Sequence, residues 1–519
     1  MAAQGALGFK RSGGKPLREP PAVLNPPEAM ATGSIPAPAT VVPLPPRRQW
    51  RVARSTVRLF GQHLELWALM LAALDFALLA CAVPLARFIW FDGDITGPRA
   101  DLLVLKLESV LFAAVILSAL VAMGLYNRRL DVRMSAVIAR MVAGVTIGAL
   151  AMGTVVFFMI NFDVSRGALA LAVAIGLVLV MLSRALFVKF LGRDRFAKRI
   201  LVFGTGRRAA DLQEVHVRQD LQGFEVVGYV ASESCPGLVP RELRINPGMG
   251  LREFSAEADV DEVVVALDDR RCGLPVQQLL ECRMAGLPVT DVLTFIERES
   301  GRVELSMLYP SWLIFSENIN RRGVWRVLNR LLDLGAASIL LVATMPVMLL
   351  AALAIWADAG FRGRIFYQQE RVGRESRPFT LYKFRSMRED AEANGAAWAQ
   401  ADDPRITRVG RLIRRTRIDE LPQLLNVLRG DMSFVGPRPE RPEFVGELSE
   451  RIPYYRERHC VKPGITGWAQ LCYQYGASEE DALEKLKYDL YYVKNKSLLF
   501  DLMILLQTVE VVLWQKGSR

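Results

Sequence analysis

Two adjacent carboxylates, Asp419 and Glu420, sit in the stretch Arg417-Ile418-Asp419-Glu420-Leu421-Pro422-Gln423. Arg411, Arg414, Arg415 and Arg417 precede the pair, and Arg429 and Arg438 follow it. Paired carboxylates among guanidinium groups suit an anionic phosphate held through a divalent cation. Pro422 is tolerated in a helix only in the first turn. Leu421, Leu424, Leu425 and Leu428 recur at helical spacing. Asp419 is therefore expected near a helix N-terminus, a place that attracts phosphate. The same residues also read as a capping Asp followed by an ordinary first-turn Glu. Arg438 lies between Pro437 and Pro439, which stiffen its loop. Its guanidinium is either a fixed phosphate or nucleotide contact or a surface group in a rigid turn. Lys383 and Arg385 alternate with Tyr382, Phe384 and Ser386. That is strand spacing, so both cations share one face, turned to phosphate or to solvent.

At 519 residues the chain calls for three or four structural units. Hydrophobic residues make up 51% of it, which points to a membrane. The net charge of +11 fits anionic lipid surfaces and phosphorylated substrates. No nucleic-acid motif accompanies that charge, and membrane topology explains the basic clusters. The six cysteines show no CxxC or Cys/His ligand pattern, so neither a disulfide framework nor a zinc site is expected. His63, His216 and His459 are scattered, and His459 reads as structural.

Residues 1–55, rich in Pro, Ala and Gly near the start, read as a disordered tail without a signal peptide. Four apolar segments follow near 64–90, 102–126, 136–160 and 167–191, within a four-helix membrane bundle placed at 56–195. Arg47, Arg48, Arg51, Arg54 and Arg58 precede the first segment. Arg128, Arg129 and Arg133 lie between the second and third, and Arg193, Arg195, Lys198 and Arg199 follow the fourth. The other two loops hold Asp92, Asp94, Asp101 and Asp163 against fewer bases. Both ends of the bundle are then cytoplasmic. Asp75, Lys106 and Glu108 in or near the spans are either functional or paired inside the bundle.

Residues 196–315 read as an α/β domain with a parallel sheet. Its strands are expected at Arg199–Phe203, Val226–Val230, Val263–Leu267 and Leu287–Val292. Gly204-x-Gly206-x-x-Ala209 is a weak dinucleotide fingerprint. Glu233 is late for its acidic partner, and no Tyr-x-x-x-Lys pair is present, so the domain is expected to be non-catalytic. Residues 316–519 form the last unit. Its apolar stretch Leu334–Ala357 is interrupted by Pro346, which can break it midway. A fifth crossing there would carry Asp419 to the outer face. Leu498–Leu513 is apolar but contains Asp501 and Glu510, and reads as an amphipathic helix on the membrane or against the core. Gly464 and Gly467 mark a turn or an approach to ligand. Trp468 is expected at the membrane interface.

The stretch Asp419–Leu428, with Gly430-Asp431-Met432-Ser433 and Gly436-Pro437-Arg438-Pro439, resembles the bacterial sugar transferases that start glycan assembly on a lipid carrier. These are the polyprenyl-phosphate hexose-1-phosphate transferases. Three further blocks agree in order: Phe366–Gly373, Tyr382–Met387 and Lys462–Gln470. The resemblance covers residues 320–519, and the N-terminal half resembles the family's long form. It implies three parts: an α-helical membrane bundle, a Rossmann-like domain, and a mostly helical α+β transferase domain with a re-entrant membrane helix at 330–357. It implies transfer of hexose-1-phosphate from a UDP-sugar, glucose or galactose, to undecaprenyl phosphate, with release of UMP. By the match, Asp419 is the nucleophile and Glu420 binds Mg²⁺ with Asp419 beside it. Direct attack by the lipid phosphate stays open. Lys383, Arg385, Arg417, Pro437, Arg438 and Pro439 are the substrate-binding set. The resemblance further implies a bacterial inner-membrane protein, cytoplasm-facing and dimeric. Arg298–Leu305 with Tyr309-Pro310-Ser311-Trp312 resembles members tied to exopolysaccharide production.

Two other classes compete. A synthase-type glycosyltransferase needs Asp-x-Asp after a strand; Asp92-x-Asp94 lies in an outer loop and Asp259-x-Asp261 precedes its strand. A non-enzymatic regulator of polysaccharide export would carry an inactive transferase half, yet every matched functional position is intact.

Overall fold

The computed structural model describes residues 56–513 except 60–61, 94–101, 127–133, 159–164, 192–197, 218–223, 232–236, 247, 270–272, 309–322, 362, 389–390, 392–402 and 474–477. The tail 1–55 lies outside the described residues. So do Arg128, Arg129, Arg133, Arg193, Arg195, Asp94, Asp101, Asp163, Glu233 and Tyr309-Pro310-Ser311-Trp312.

A short antiparallel hairpin, β1 (Thr56–Leu59) and β2 (Gln62–Glu65), leads into four apolar helices. These are α1 (Leu66–Trp90), α2 (Leu102–Ala122), α3 (Met134–Phe158) and α4 (Arg166–Leu191). Each carries a stretch long and apolar enough to cross a membrane. Leu79, Phe112, Ile116, Met152 and Val180 fill their shared interior. Small residues bring the helices close: a Cβ on Gly148 would lie 2.7 Å from Ile116 Cδ1. The buried charges in this bundle pair internally. Asp75 accepts hydrogen bonds from Tyr126 Oη (2.7 Å), Ser183 Oγ (2.7 Å) and Arg184 Nη2 (2.9 Å). Arg87 and Glu108, both buried, pair at 2.7 Å. An unpaired charge at such depth is costly, so pairing accounts for Asp75 and Glu108. Lys106 is exposed.

The second unit is a five-stranded parallel sheet: β3 (Lys198–Phe203), β4 (Phe224–Val230), β5 (Arg244–Ile245), β6 (Glu262–Val265) and β7 (Val289–Asp291). Their order is β5-β4-β3-β6-β7. Strands covered on both faces read as unbroken apolar runs, as in Ile200-Leu201-Val202 and Val263-Val264. Helices α5 (Arg207–Val217), α6 (Leu251–Glu257), α7 (Val276–Met284) and α8 (Val292–Ser300) join them. Asp291 caps α8, and Gly301 ends it at φ 65°.

The C-terminal unit opens with α9 (Val324–Asp358), 35 residues long. An antiparallel pair follows, β8 (Phe366–Val372) with β9 (Pro378–Phe384), then α10 (Arg408–Arg415). The 3₁₀ segment Ile418–Gln423 runs directly into α11 (Leu424–Arg429). Strands β10 (Ser433–Val435) and β11 (Gly464–Thr466) pair in parallel around α12 (Pro442–Arg451) and a second 3₁₀ turn, Tyr455–Cys460. Helices α13 (Trp468–Cys472), α14 (Glu479–Asn495) and α15 (Leu498–Leu513) close the unit. One core holds it together, with Leu424, Val427, Phe434, Leu490, Tyr492 and Phe500 at its centre. At the β10–β11 pair a Cβ on Gly464 would fall 2.1 Å from Gly436 N, and one on Gly467 2.2 Å from Gly436 O. Those glycines let backbone approach backbone.

The structure refines three expectations. The helix α9 does not end at Pro346; it continues unbroken through that residue. Both its ends dock on the same unit. Near the start, Asp333 accepts from Ser433 Oγ and Phe434 N, each at 3.0 Å. Near the end, Ala351 and Ile355 pack with Phe384 and Ile413. The middle stays bare, with Ile339 73% and Val342 68% exposed. Second, of the two placements expected for α15, the one against the core is found: it packs on the core and on α2, and its Asp501 is buried and accepts from Tyr492 Oη at 2.7 Å. Third, Trp468 is partly buried against the core. Its Nε1 donates to Gly301 O at 2.7 Å, and its ring meets Tyr491 and Phe500. A partly buried indole N–H needs an acceptor, and the end of α8 supplies one.

Candidate active site

Asn426 anchors the site. It is fully buried and pins the Ile418–Arg429 helix to β9. Its Nδ2 donates to Thr380 O at 2.7 Å, and its Oδ1 accepts from Tyr382 N at 3.1 Å. Arg417 turns the chain into this helix at φ 58°. Asp419 and Glu420 then stand in the first turn, a 3₁₀ rather than an α turn. Pinning the helix to β9 sets Lys383 beside Glu420, with Nζ at 3.6 Å from Oε1. The same oxygen meets Arg438 Nη2 at 3.0 Å and Arg417 Nη1 at 3.7 Å.

The two carboxylates differ. Burial would raise the Glu420 carboxyl, but Arg438, Lys383 and Arg417 together hold it down to about 2. Asp419 makes no hydrogen bond or ion pair among the described residues. Burial, and then the negative charge of Glu420, push its carboxyl above the usual range; Lys383, Arg414 and Arg438 oppose that rise. Burial lowers the Lys383 ammonium, and Arg438 and Arg371 lower it further. The site is thus one clamped carboxylate, one free and more basic carboxylate, and cations already crowded together.

A buried frame holds the Arg438 loop. Arg458 Nη2 donates to Arg438 O at 3.0 Å and pairs with Asp489 on α14 at 2.8 Å. Arg458 Nη1 also donates to Tyr455 Oη at 2.8 Å. Burial raises the Asp489 carboxyl to about 6, against the pull of Arg458. Arg371 Nη1 donates to Pro439 O at 3.1 Å, and Gly464 N donates to Pro437 O at 3.0 Å. Pro437 and Pro439 are themselves buried. Of the residues singled out in the sequence, Asp419, Glu420, Lys383, Arg417 and Arg438 converge. Pro437 and Pro439 present Arg438. The Arg385 guanidinium instead lies against Gly363, and Arg429 stacks over Tyr382. The sequence reading missed Arg371, Arg458 and Asp489. Arg371 lies within the quoted block Phe366–Gly373, a signal that could have found it.

The remaining candidates have partners of their own. Asp261 accepts from Arg199 N at 2.8 Å. Burial and the neighbouring Arg458 lower the His459 ring to about 4. In the α/β unit, Gly204 has φ 122°, yet the start of α5 is already capped from within. Asp268 accepts from Arg207 N and Arg208 N at 2.8 and 2.9 Å. A Cβ on Gly206 would lie 2.2 Å from the same carboxylate.

Residues 324–515 match the family model described as bacterial sugar transferase. A UDP-glucose:undecaprenyl-phosphate glucose-1-phosphate transferase of Escherichia coli K12 is 34% identical over 344 residues, 65% of this chain and 72% of the relative. This chain belongs to the bacterial sugar transferase family. The Xanthomonas campestris transferase of the same description is 31% identical over 372 residues, 69% of this chain and 76% of the relative. A UDP-N-acetylgalactosamine-undecaprenyl-phosphate N-acetylgalactosaminephosphotransferase of Aeromonas hydrophila is 40% identical over 260 residues. That match takes in 50% of this chain, which spans 60% of that relative's length. With four apolar helices before the sheet, the transferase is of the family's long form.

Proposed function

We propose that this transferase moves glucose-1-phosphate from UDP-glucose to undecaprenyl phosphate, releasing UMP and starting an exopolysaccharide repeat at the cytoplasmic face of a bacterial inner membrane. The observation that carries the reading is the division of labour between Asp419 and Glu420. Glu420 is locked among Arg438, Lys383 and Arg417. Asp419 stands unbonded beside it and more basic than usual. A free, basic carboxylate suits nucleophilic attack. One Asp419 oxygen attacks the sugar-bearing phosphorus, the bond to the UMP oxygen breaks, and an acyl phosphate of the sugar remains. A phosphate oxygen of the lipid then attacks that phosphorus and frees the carboxylate. Arg438, Lys383 and Arg417 hold the diphosphate and meet the charge that develops on UMP.

Mg²⁺ fits these residues. It takes one or two carboxylates and completes its shell with substrate phosphates, and Asp419 has both oxygens unbonded. Asp419 and Glu420 would hold it, and it would neutralise diphosphate charge. The docking of both ends of α9 on one unit favours a helix that enters and leaves the bilayer on one face. The Asp268 cap favours a non-catalytic role for the Rossmann-like domain, 196–315. A homodimer is the assembly the long form suggests.

The test is UMP release by the full chain with undecaprenyl phosphate across UDP-glucose, UDP-galactose and UDP-N-acetylgalactosamine. UMP from UDP-glucose alone supports the assignment. UMP from another donor alone replaces the sugar. UDP release marks a synthase-type glycosyltransferase, and neither product marks a non-enzymatic regulator.

A further inference from the structure

A second group of cations lies at the far end of the Ile418–Arg429 helix from Asp419, roughly 18 Å of helical rise away. Gly430 ends that helix at φ 99°. A Cβ there would lie 3.4 Å from Arg330 Nη2 and 3.5 Å from Lys462 Nζ, so these cations face each other within about 7 Å. Arg330 donates to Val427 O at 2.6 Å and Leu428 O at 2.7 Å, which fixes its guanidinium. Lys462 is half-buried and makes no hydrogen bond or ion pair among the described residues. Asp333 is the nearby acid, and its Oδ1 is taken by Ser433 and Phe434. Burial and then Arg330 push the Lys462 ammonium down; Asp333 opposes this, and Arg374 and Lys496 add to the fall.

Two cations this close face the single carboxylate of Asp333, already engaged by Ser433 and Phe434, which leaves room for an anion. The location indicates which one. Arg330 sits on α9 among the exposed Val327 and Leu331. Lys496 lies two residues before the start of the apolar α15. Both apolar helices therefore begin beside the cluster, at the level where a bilayer presents its phosphates. We propose that Arg330 and Lys462, facing each other across Gly430, form a second anion site that takes the phosphate of a lipid head group. Gly430 keeps the space open, since any side chain would project between the two cations. The site is separate from Asp419 and does not depend on the chemistry assigned there.

The probe is dioctanoyl phosphatidic acid bound to the full chain in detergent, followed by native mass spectrometry. Inorganic phosphate and dioctanoyl phosphatidylcholine are the comparison arms. Lys462→Gln should weaken phosphatidic acid binding about tenfold, and Lys462→Arg should retain it. Lys496→Gln, outside the Lys462 loop, should weaken it about threefold and gives a second reading should Lys462→Gln fold poorly. Asp419→Asn should bind like wild type. Unchanged binding in both glutamine variants overturns the site, as does loss of binding in Asp419→Asn. Inorganic phosphate binding as tightly as phosphatidic acid overturns the lipid assignment.

Discussion

Replacing Arg438 should disturb both carboxylates at once, and the structure sets the scale. The Glu420 carboxyl is held from its ordinary 4.5 down to about 2. At 1.36 kcal/mol per unit, that is roughly 3 kcal/mol of stabilisation of the ionised form. A depressed carboxyl contributes this stability above its unfolded value, and loses it as pH falls from 4.5 toward 2. Three cations share the effect, and Arg438 is nearest, 3.0 Å against 3.6 and 3.7 Å. About half should vanish in Arg438→Ala, raising Glu420 by about one unit. Arg438 also opposes the upward push on Asp419. Its loss should move the acid limb of the kcat/KM profile to higher pH if Asp419 is the nucleophile, which must be ionised. UMP release measured from pH 5 to 9 reads that limb directly. We expect a loss of at least about tenfold at neutral pH and a rise of the limb by half a unit or more. Arg438→Lys should restore the limb while recovering only part of the rate, since a point charge replaces a planar fork. A limb unmoved in Arg438→Ala, at any rate, would refute the electrostatic reasoning.

Three further perturbations follow from the same geometry. Asp489→Asn leaves Arg458 buried with its ion-pair partner removed, which should cost about 3–5 kcal/mol in unfolding and impair UMP release through the Arg438 loop; a normal melting temperature with normal activity would contradict this. Removing residues 1–320 strips Val303 from the core and the ion pairs of Glu297 with Lys494 and Glu304 with Lys487; the remainder should be less stable in detergent yet retain some UMP release, and a complete loss despite correct folding would give the α/β unit a catalytic part. On a background lacking the six native cysteines, cysteines at Arg326 and Arg364 should both be shielded from an impermeant thiol reagent in intact cells; labelling at Arg364 alone would make α9 a true span.

Much of this organisation can be read from residue order, for physical reasons. Strands β3 and β6 are buried on both faces, so Ile200-Leu201-Val202 and Val263-Val264 announce themselves as apolar runs. The Asp419-Glu420 pair and the Pro437-Arg438-Pro439 turn are local patterns, and their meeting is the main tertiary fact added by the fold. What residue order hides is pairing over long separations. Arg458 and Asp489 lie on a 3₁₀ turn and on α14, and each alone reads as a surface charge. Trp468 finds Gly301 across 167 residues. Asp268 fills the start of α5 from the loop after β6, a partner that the glycine pattern alone does not reveal. Mutating Gly204 and Gly206 to Val would not probe nucleotide binding alone, because Gly204 has a positive φ and Gly206 touches Asp268. At Pro346 the proline removes one hydrogen bond without ending the helix. Its Leu variant tests whether that missing bond matters to membrane placement.

The central claim is that the Asp419 carboxylate carries out the transfer. The direct measurement is UMP formed by purified wild type and by Asp419→Asn, each with UDP-glucose and undecaprenyl phosphate, the variant matched to wild type in folding and membrane insertion. The account predicts UMP from wild type and none above background from Asp419→Asn, which keeps the size of the side chain and removes its charge. Turnover by Asp419→Asn at the wild-type rate would contradict it.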